Sequence, residues 1–88
     1  MILYASIMKM EDPKKDKEVL EEHIAYLEKH IEKGNIYAKG PFLDHSGGLV
    51  IFNVDSIEKA REIVEGDPAI EVGSRTYELK EWRSSLEE

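Results

Sequence analysis

The stretch Lys39–Phe52, KGPFLDHSGGLVIF, decides the fold, because it joins two apolar runs through a glycine-rich loop. The runs on either side, Ile36–Phe42 and Gly48–Val54, have the short apolar patterns typical of β-strands. Gly47 and Gly48 can adopt positive φ at little cost, which favours a tight connection between antiparallel strands. The stretch therefore predicts a β-hairpin in the middle of the chain.

The segment before the hairpin predicts a strand, a loop and a helix. Ile2–Met8 is apolar on both parities, which indicates a strand that is covered on both faces. Residues 11–16, EDPKKD, contain Pro13 and five charged residues and predict a loop. Residues 17–33 predict an amphipathic helix that ends at Gly34. The stripe expected to face the core consists of Leu20, Ile24, Leu27 and Ile31.

The segment after the hairpin predicts a second helix, a short helical turn and a last strand. Asp55 or Ser56 is expected to cap a helix that runs to about Val64. Asp67 is expected to cap one further turn, which begins at Pro68. Residues 75–82 alternate as a fourth strand and 84–88 predict a frayed tail. The order is β-α-β-β-α-β, which predicts one ferredoxin-like α+β domain over residues 1–83 with a four-stranded antiparallel sheet.

Two helices can cover only one face of that sheet. The first and third strands are nonetheless apolar on both faces, and a soluble monomer rarely exposes a patch of that size. A chain of 88 residues without cysteine also has a small core and no disulfide to support it. We therefore expect a homodimer that packs sheet face against sheet face.

Composition excludes several classes of function. The chain has 12 basic and 19 acidic residues and a net charge of −7, which opposes binding to a phosphate backbone. No segment approaches the roughly 20 apolar residues of a membrane span, and the start, MILYASIMKM, lacks the features of a signal peptide. The absence of cysteine excludes thiol catalysis. A cytoplasmic protein that binds neither nucleic acid nor membrane is expected.

Four segments together resemble the YciI-like (YCII-related) family of small proteins. They are HIAYLEKHIEKG in the first helix, KGPFLDHSGGLVIF in the hairpin, GDP after the second helix and YELKEW in the last strand. They occur in the family's order and span residues 2–83. One departure is Ala69, which stands where the family commonly has an aromatic residue after its Asp-Pro step.

The resemblance implies a ferredoxin-like subunit paired as a dimeric α/β barrel. It also implies a candidate catalytic pair, a helix histidine and the aspartate of the Asp-Pro step, which are His23 and Asp67 here. Members and relatives of the family include enzymes that act on muconolactone-like and chlorinated ring-cleavage products. A neutral imidazole is a usable base at pH 7, and a carboxylate on its other nitrogen fixes the tautomer. The alternatives are a half-packed boundary histidine and an aspartate that serves only as a helix cap.

The hairpin loop is predicted to border the same pocket. Backbone N–H groups of Ser46, Gly47 and Gly48 are suited to receiving a carboxylate or enolate oxygen. The complete predicted set for substrate binding is Phe42, Asp44, Ser46, Gly47, Gly48 and Trp82. Ordinary loop polar groups and ordinary core or interface aromatics are the alternative interpretation of these residues.

Neither a metal nor a cofactor is expected. His23 and His30 are seven positions apart on the predicted helix, about 10 Å along its axis. One zinc ion would require both nitrogens within about 2.1 Å. His30 is expected at the surface near the helix C-terminus.

Three functional hypotheses remain at this stage. The first is an enzyme of the isomerase or lyase (dehydrohalogenase) type, in which the His-Asp pair acts as general base on a small carboxylated or lactone-like molecule. The second is a non-catalytic ligand-binding or regulatory module on the same dimeric fold. The third is RNA binding on a ferredoxin-like sheet, which the net charge and the lack of a basic-aromatic strand motif oppose.

Overall fold

The computed structural model describes residues 1–86, which form strands and short helices around one sheet. The elements of this part of the chain are β1 (Ile2–Met10), α1 (Pro13–Glu18), α2 (Leu20–Glu32), β2 (Ile36–Pro41), β3 (Gly47–Phe52), α3 (Ile57–Glu65), α4 (Pro68–Glu71) and β4 (Arg75–Arg83).

The sheet is four-stranded, with the strand order β2-β3-β1-β4. β1 lies inside the sheet and pairs with β3 and β4, and β2 pairs with β3 at one edge. Every pairing is antiparallel. This confirms the predicted α+β fold with a four-stranded antiparallel sheet.

The core lies between one face of the sheet and the helices α2 and α3. Alternation along a strand places every second side chain on this face. Its buried members come from all these elements: Tyr4, Met8, Leu27, Ile36, Val50, Phe52, Ala60, Ile63 and Val64. Ser56 caps α3 by accepting a hydrogen bond from the Lys59 N–H at 3.1 Å, as the sequence indicates.

Residues 13–18 form a helix where the sequence predicted a loop. Asp12 caps α1, because its carboxylate accepts a hydrogen bond from the Lys15 N–H at 3.1 Å. Pro13 occupies the first turn, where a residue without an N–H is tolerated. The proline therefore begins a helix here instead of excluding one, and the loop prediction is wrong.

The predicted core stripe of α2 is also largely wrong. Only Leu27 of that stripe is buried, whereas its other three members are 38–41% exposed: Leu20, Ile24 and Ile31. Instead, the side of α2 that carries His23 and Tyr26 faces inward, because two polar contacts hold it there. Tyr26 donates a hydrogen bond to the Ile63 carbonyl at 2.8 Å, and His23 contacts Asp67.

The hairpin between β2 and β3 turns through residues 42–46. The left-handed position in this turn is occupied by His45, at φ 64°. Gly47 has φ 155°, and a Cβ built on it would lie 1.8 Å from the carbonyl oxygen of Met8. Gly48 does not have positive φ, contrary to expectation. Glycine is thus required at position 47 by the neighbouring strand more than by the turn itself.

The second face of the sheet carries no helix. It presents apolar side chains from β1 and β3, whereas β4 adds Glu78 and Lys80 beside Trp82. Trp82 is paired with Leu3 and is 44% exposed. This face is therefore apolar over its inner strands and polar along one edge.

The predicted tail is ordered at its beginning. Ser84 is buried, and both its N–H and its hydroxyl donate hydrogen bonds to the Met1 carbonyl, at 3.0 and 2.8 Å. The frayed tail therefore does not begin at residue 84, and residues 87 and 88 of that prediction lie outside the described residues. Within residues 1–86, no helix is long and apolar enough to cross a membrane.

Candidate functional site

His23 and Asp67 form a buried side-chain pair between α2 and the start of α4. The Nδ1 atom of His23 lies 2.8 Å from Oδ1 and 2.9 Å from Oδ2 of Asp67. His23 is 6% exposed, and Asp67 is completely buried. An ionised carboxylate only accepts hydrogen bonds, so opposite such a carboxylate a neutral imidazole holds its proton on Nδ1 and has Nε2 as its free acceptor.

Asp67 is held in place by the backbone of the helical turn that it begins. Its Oδ1 atom also accepts a hydrogen bond from the Ala69 N–H at 2.9 Å, and Pro68 occupies the first helical position. This confirms the predicted N-cap. The same carboxylate therefore serves both the helix end and His23, because a carboxylate has lone pairs for more than two donors.

A largely buried ion pair of Arg75 and Asp16 lies near the His23–Asp67 pair. Arg75 binds Asp16 through two parallel hydrogen bonds, from Nε to Oδ1 at 2.8 Å and from Nη2 to Oδ2 at 3.0 Å. Ser74 adds a donor to Asp16 Oδ1 at 2.9 Å. Burial alone would raise the pKa of Asp16, but the hydrogen bonds from Arg75 and Ser74 outweigh it and hold that pKa below its ordinary value.

The segment 67–75 connects the two pairs. The Ser74 hydroxyl lies 2.9 Å from Asp16 and 3.1 Å from the Ala69 carbonyl, and its single proton can serve only one of them at a time. Ser74 also donates its N–H to the Ala69 carbonyl at 3.0 Å. Ala69 in turn donates its N–H to Asp67. One short turn thus positions both His23 and Arg75.

One member of each pair borders a cavity of about 170 Å³ between α2 and the sheet. His23 and Arg75 contribute to its wall, together with Lys39 of β2. The rest of the wall is apolar or backbone: Met8, Leu20, Ile24, Leu27, Gly40, Pro41, Gly48, Leu49 and Val50. The exposed side chains Leu20 and Ile24 of α2 are therefore part of a pocket mouth.

The residues predicted to bind substrate do not gather at this cavity. Gly48 is the member of that set that lines it. Phe42 borders two other depressions on or near the helix-free face, and Ser46 borders one of them. Asp44 is exposed and accepts the Ser46 N–H at 2.9 Å, and this hydrogen bonding lowers the pKa of Asp44. The Ser46 N–H is thus engaged within its own turn.

Gly47 and Trp82 also lie away from the cavity. Gly47 is buried in the hairpin against β1, and Trp82 lies on the helix-free face near the opposite end of β4. A role in substrate binding for the residues outside the cavity stays a prediction.

Asp16, Lys39, Ser74 and Arg75 were missed by the sequence reasoning. Asp16 lies in the segment that was interpreted as a loop, and its partner Arg75 is 59 positions away. The one available signal for this site was the sequence Ser74–Arg75, a small and a basic residue that follow Gly73 at the start of β4. His30 is half-buried, with its Nδ1 3.0 Å from Asn35 Nδ2, and residues 1–86 contain no cluster of metal-ligating side chains.

Comparison with known proteins gives one family and one fold. The chain is 31% identical over 77 residues to the uncharacterized protein YjpA of Bacillus subtilis (strain 168), which covers 88% of this chain and 91% of YjpA. The structure of 5-chloro-2-hydroxyhydroquinone dehydrochlorinase (TftG) from Burkholderia phenoliruptrix AC1100, in complex with 2,5-dihydroxybenzoquinone, superposes with a TM-score of 0.81. That match covers 94% of this chain and 95% of TftG at 23% identity, so it shows a shared fold.

The family model described as YCII-related domain matches residues 2–83, the span over which the sequence motifs resemble that family. The chain belongs to the YCII-related domain family.

Proposed function

We propose that this protein is a small enzyme in which His23 removes a proton from a ligand held in the cavity between α2 and the sheet. The observation that carries the proposal is the buried His23–Asp67 contact at 2.8 Å, in the wall of an otherwise mostly apolar cavity. The chemistry needs no bound cofactor, because the imidazole supplies the base and the ligand supplies the electron sink.

The proposed reaction begins with abstraction of a proton from a carbon next to a carbonyl group. Nε2 of His23 takes the proton, and Asp67 stabilises the imidazolium that forms. The electron pair of the broken C–H bond becomes a C=C bond, with negative charge on the carbonyl oxygen. Isomerisation follows if the imidazolium returns the proton to another carbon. Elimination follows if a leaving group such as chloride departs with its bonding electrons.

The relation to TftG favours the elimination branch. That protein is described as a dehydrochlorinase and was seen with a dihydroxybenzoquinone, a flat ring that carries carbonyl and hydroxyl oxygens. A ligand of this chemistry would suit a cavity walled by Leu20, Ile24 and Pro41 with polar groups on one side. We therefore propose a hydroxylated or chlorinated ring compound, or a small lactone or acid, as the substrate class.

Substitution of His23 by asparagine tests the proposal. Asparagine keeps a donor for Asp67 but cannot accept the proton. The matched control is His45→Asn, at an exposed loop histidine whose positive φ asparagine tolerates. A panel of chlorinated hydroquinones, lactones and small keto acids is followed by chloride release and by deuterium uptake in D₂O.

The wild type and His45→Asn should act on the same compounds at similar rates. His23→Asn should lose at least about 100-fold in rate. A His23→Asn protein that retains full turnover would contradict the proposal. A wild type that binds these ring compounds saturably without any turnover would favour the alternative function, a non-catalytic ligand-binding module.

We also propose that two copies associate through the helix-free sheet face. The support is its apolar inner part, where Ile7 is 36% exposed and lies beside Leu49, and the small size of the core in an 88-residue chain. Sedimentation at micromolar concentration should give twice the chain mass, and a monomer would contradict it. Location in the cytoplasm remains a prediction from the sequence.

A further inference from the structure

The charges around the cavity are distributed unevenly. The whole chain carries 19 acidic and 12 basic residues. Among the described residues, however, those that line the cavity include no carboxylate, whereas Lys39, Arg75 and the imidazole of His23 all contribute. The two nearby acids, Asp16 and Asp67, lie behind Arg75 and His23 and are 5% and 0% exposed. Within residues 1–86, the cavity wall thus presents the cations of Lys39 and Arg75 and no carboxylate, while Asp16 behind Arg75 offsets part of that charge.

Arg75 is held rigidly with part of its guanidinium available. Its hydrogen bonds within residues 1–86 run from Nε and Nη2 to Asp16. A guanidinium has five N–H donors, so three remain, including both on Nη1. The planar group presents these donors away from the edge that faces Asp16. The side chain is 12% exposed and is part of the cavity wall.

We infer that Arg75, fixed by Asp16 and Ser74, binds a negatively charged oxygen of the ligand and so selects small anions over neutral molecules of the same shape. This inference rests on the proposed function in its choice of site and names the class of ligand for it: a flat apolar body with an acidic oxygen, such as a carboxylate or an ionised hydroxyquinone. In the proposed reaction, the same donors would stabilise the charge that develops when His23 takes a proton.

The two parallel hydrogen bonds from Arg75 to Asp16 fix the guanidinium before an anion binds to it. A free arginine side chain loses rotamer freedom when it binds, whereas the freedom of this one is already lost in the folded protein. Hydrogen bonds in which one partner is charged are also shorter and stronger than neutral ones. Lys39 adds positive charge from the opposite side, although its exposed position on β2 makes that contribution more sensitive to salt.

The test compares benzoate with benzamide, two probes of nearly equal size that differ in charge. Binding to the full chain is followed by NMR, through the Nε–H resonance of Arg75 and the amide resonances of the cavity wall. The wild type should bind benzoate at least about tenfold more tightly than benzamide. The Nε–H resonance should shift saturably with benzoate.

Two variants assign that preference to Arg75. Arg75→Gln should abolish it. This change leaves the Asp16 carboxylate buried without its partner, which destabilises the fold. The double variant Asp16→Asn with Arg75→Gln leaves no unpaired buried charge at these two positions and should show the same loss of preference. The control is Arg83→Gln, which removes the same charge from the other end of β4 and should keep the preference.

Equal affinity of the wild type for the two probes would overturn the inference, as would a folded double variant with the wild-type preference for benzoate. These outcomes concern binding alone. They are therefore distinguishable from failure of the proposed function, which is measured by the loss of turnover in His23→Asn.

Discussion

Replacement of Asp67 by asparagine tests whether the buried carboxylate sets the proton position on His23. In the wild type, both carboxylate oxygens lie within 2.9 Å of Nδ1, and neither can donate. In Asp67→Asn, one of them becomes an NH₂ group that faces the proton on Nδ1. The imidazole should then change tautomer, so that Nδ1 accepts from the amide and Nε2 carries the proton.

The structure sets the expected loss of stability. The helix cap to the Ala69 N–H should survive, because asparagine caps helices about as well as aspartate. What disappears is a buried hydrogen bond to a charged acceptor, which contributes about 1.5–3 kcal/mol. For a domain of 88 residues, a loss of about 2 kcal/mol lowers the thermal midpoint by about 8–16 °C.

Two measurements check this prediction. Urea unfolding at one fixed protein concentration gives the free energy, because association would otherwise change the apparent stability. Nitrogen-15 NMR of the His23 ring identifies the protonated nitrogen. Asp44→Asn is the control: this carboxylate is exposed and its hydrogen bonds lie within its own turn, so its replacement should cost less than about 0.5 kcal/mol. An Asp67→Asn protein with wild-type stability and a proton still on Nδ1 would refute the reasoning.

Three further predictions concern stability. Burial alone would raise the pKa of Asp16, but the hydrogen bonds from Arg75 outweigh it and lower this pKa below 3.8. The ionised carboxylate therefore stabilises the fold above that pH, and this stability is lost as the pH falls through the lower folded-state pKa. Asp16→Asn should therefore weaken the acid dependence of the urea midpoint below about pH 4, and an unchanged slope would contradict this. The buried Ser6 hydroxyl has no hydrogen-bond partner within residues 1–86, so Ser6→Ala should leave the thermal midpoint unchanged or raise stability by up to about 1 kcal/mol; a clear loss would show a hidden partner. Gly47→Ala should cost roughly 3 kcal/mol because its Cβ would meet a β1 carbonyl oxygen at 1.8 Å, whereas Gly40→Ala, with open space around it, should cost less than about 1 kcal/mol in the same urea assay.

Local sequence patterns predicted the order of strands and helices because each pattern reflects one element at a time. The Asp67–Pro68 step predicted a helix start, and the structure has one there. The same kind of reasoning failed at Pro13, where proline was interpreted as a break although Asp12 caps a helix that the proline begins. The signal was present in both places, since an acidic residue stands immediately before each proline.

The pairing of His23 with Asp67 was predicted from the family resemblance, since nothing in the local pattern joins two residues that are 44 positions apart. The pairing of Asp16 with Arg75 was not predicted at all. Each contact depends on where α1, α2 and the segment from the cap of α4 to the start of β4 meet. Hydrophobic periodicity does not predict such contacts between side chains of elements that are distant in the sequence.

The sequence by itself determined the four strands, most of the helices, the α+β class and the net negative charge, because periodicity, turn residues and charge are local or additive properties. Only the tertiary structure decided which side of α2 is buried. Periodicity identifies an apolar stripe, but the docking contacts of His23 and Tyr26 rotate the helix so that Leu20 and Ile24 border the cavity. Tertiary structure also placed Arg75 beside His23, because a site is made by long-range side-chain contacts whose geometry follows from the packed elements.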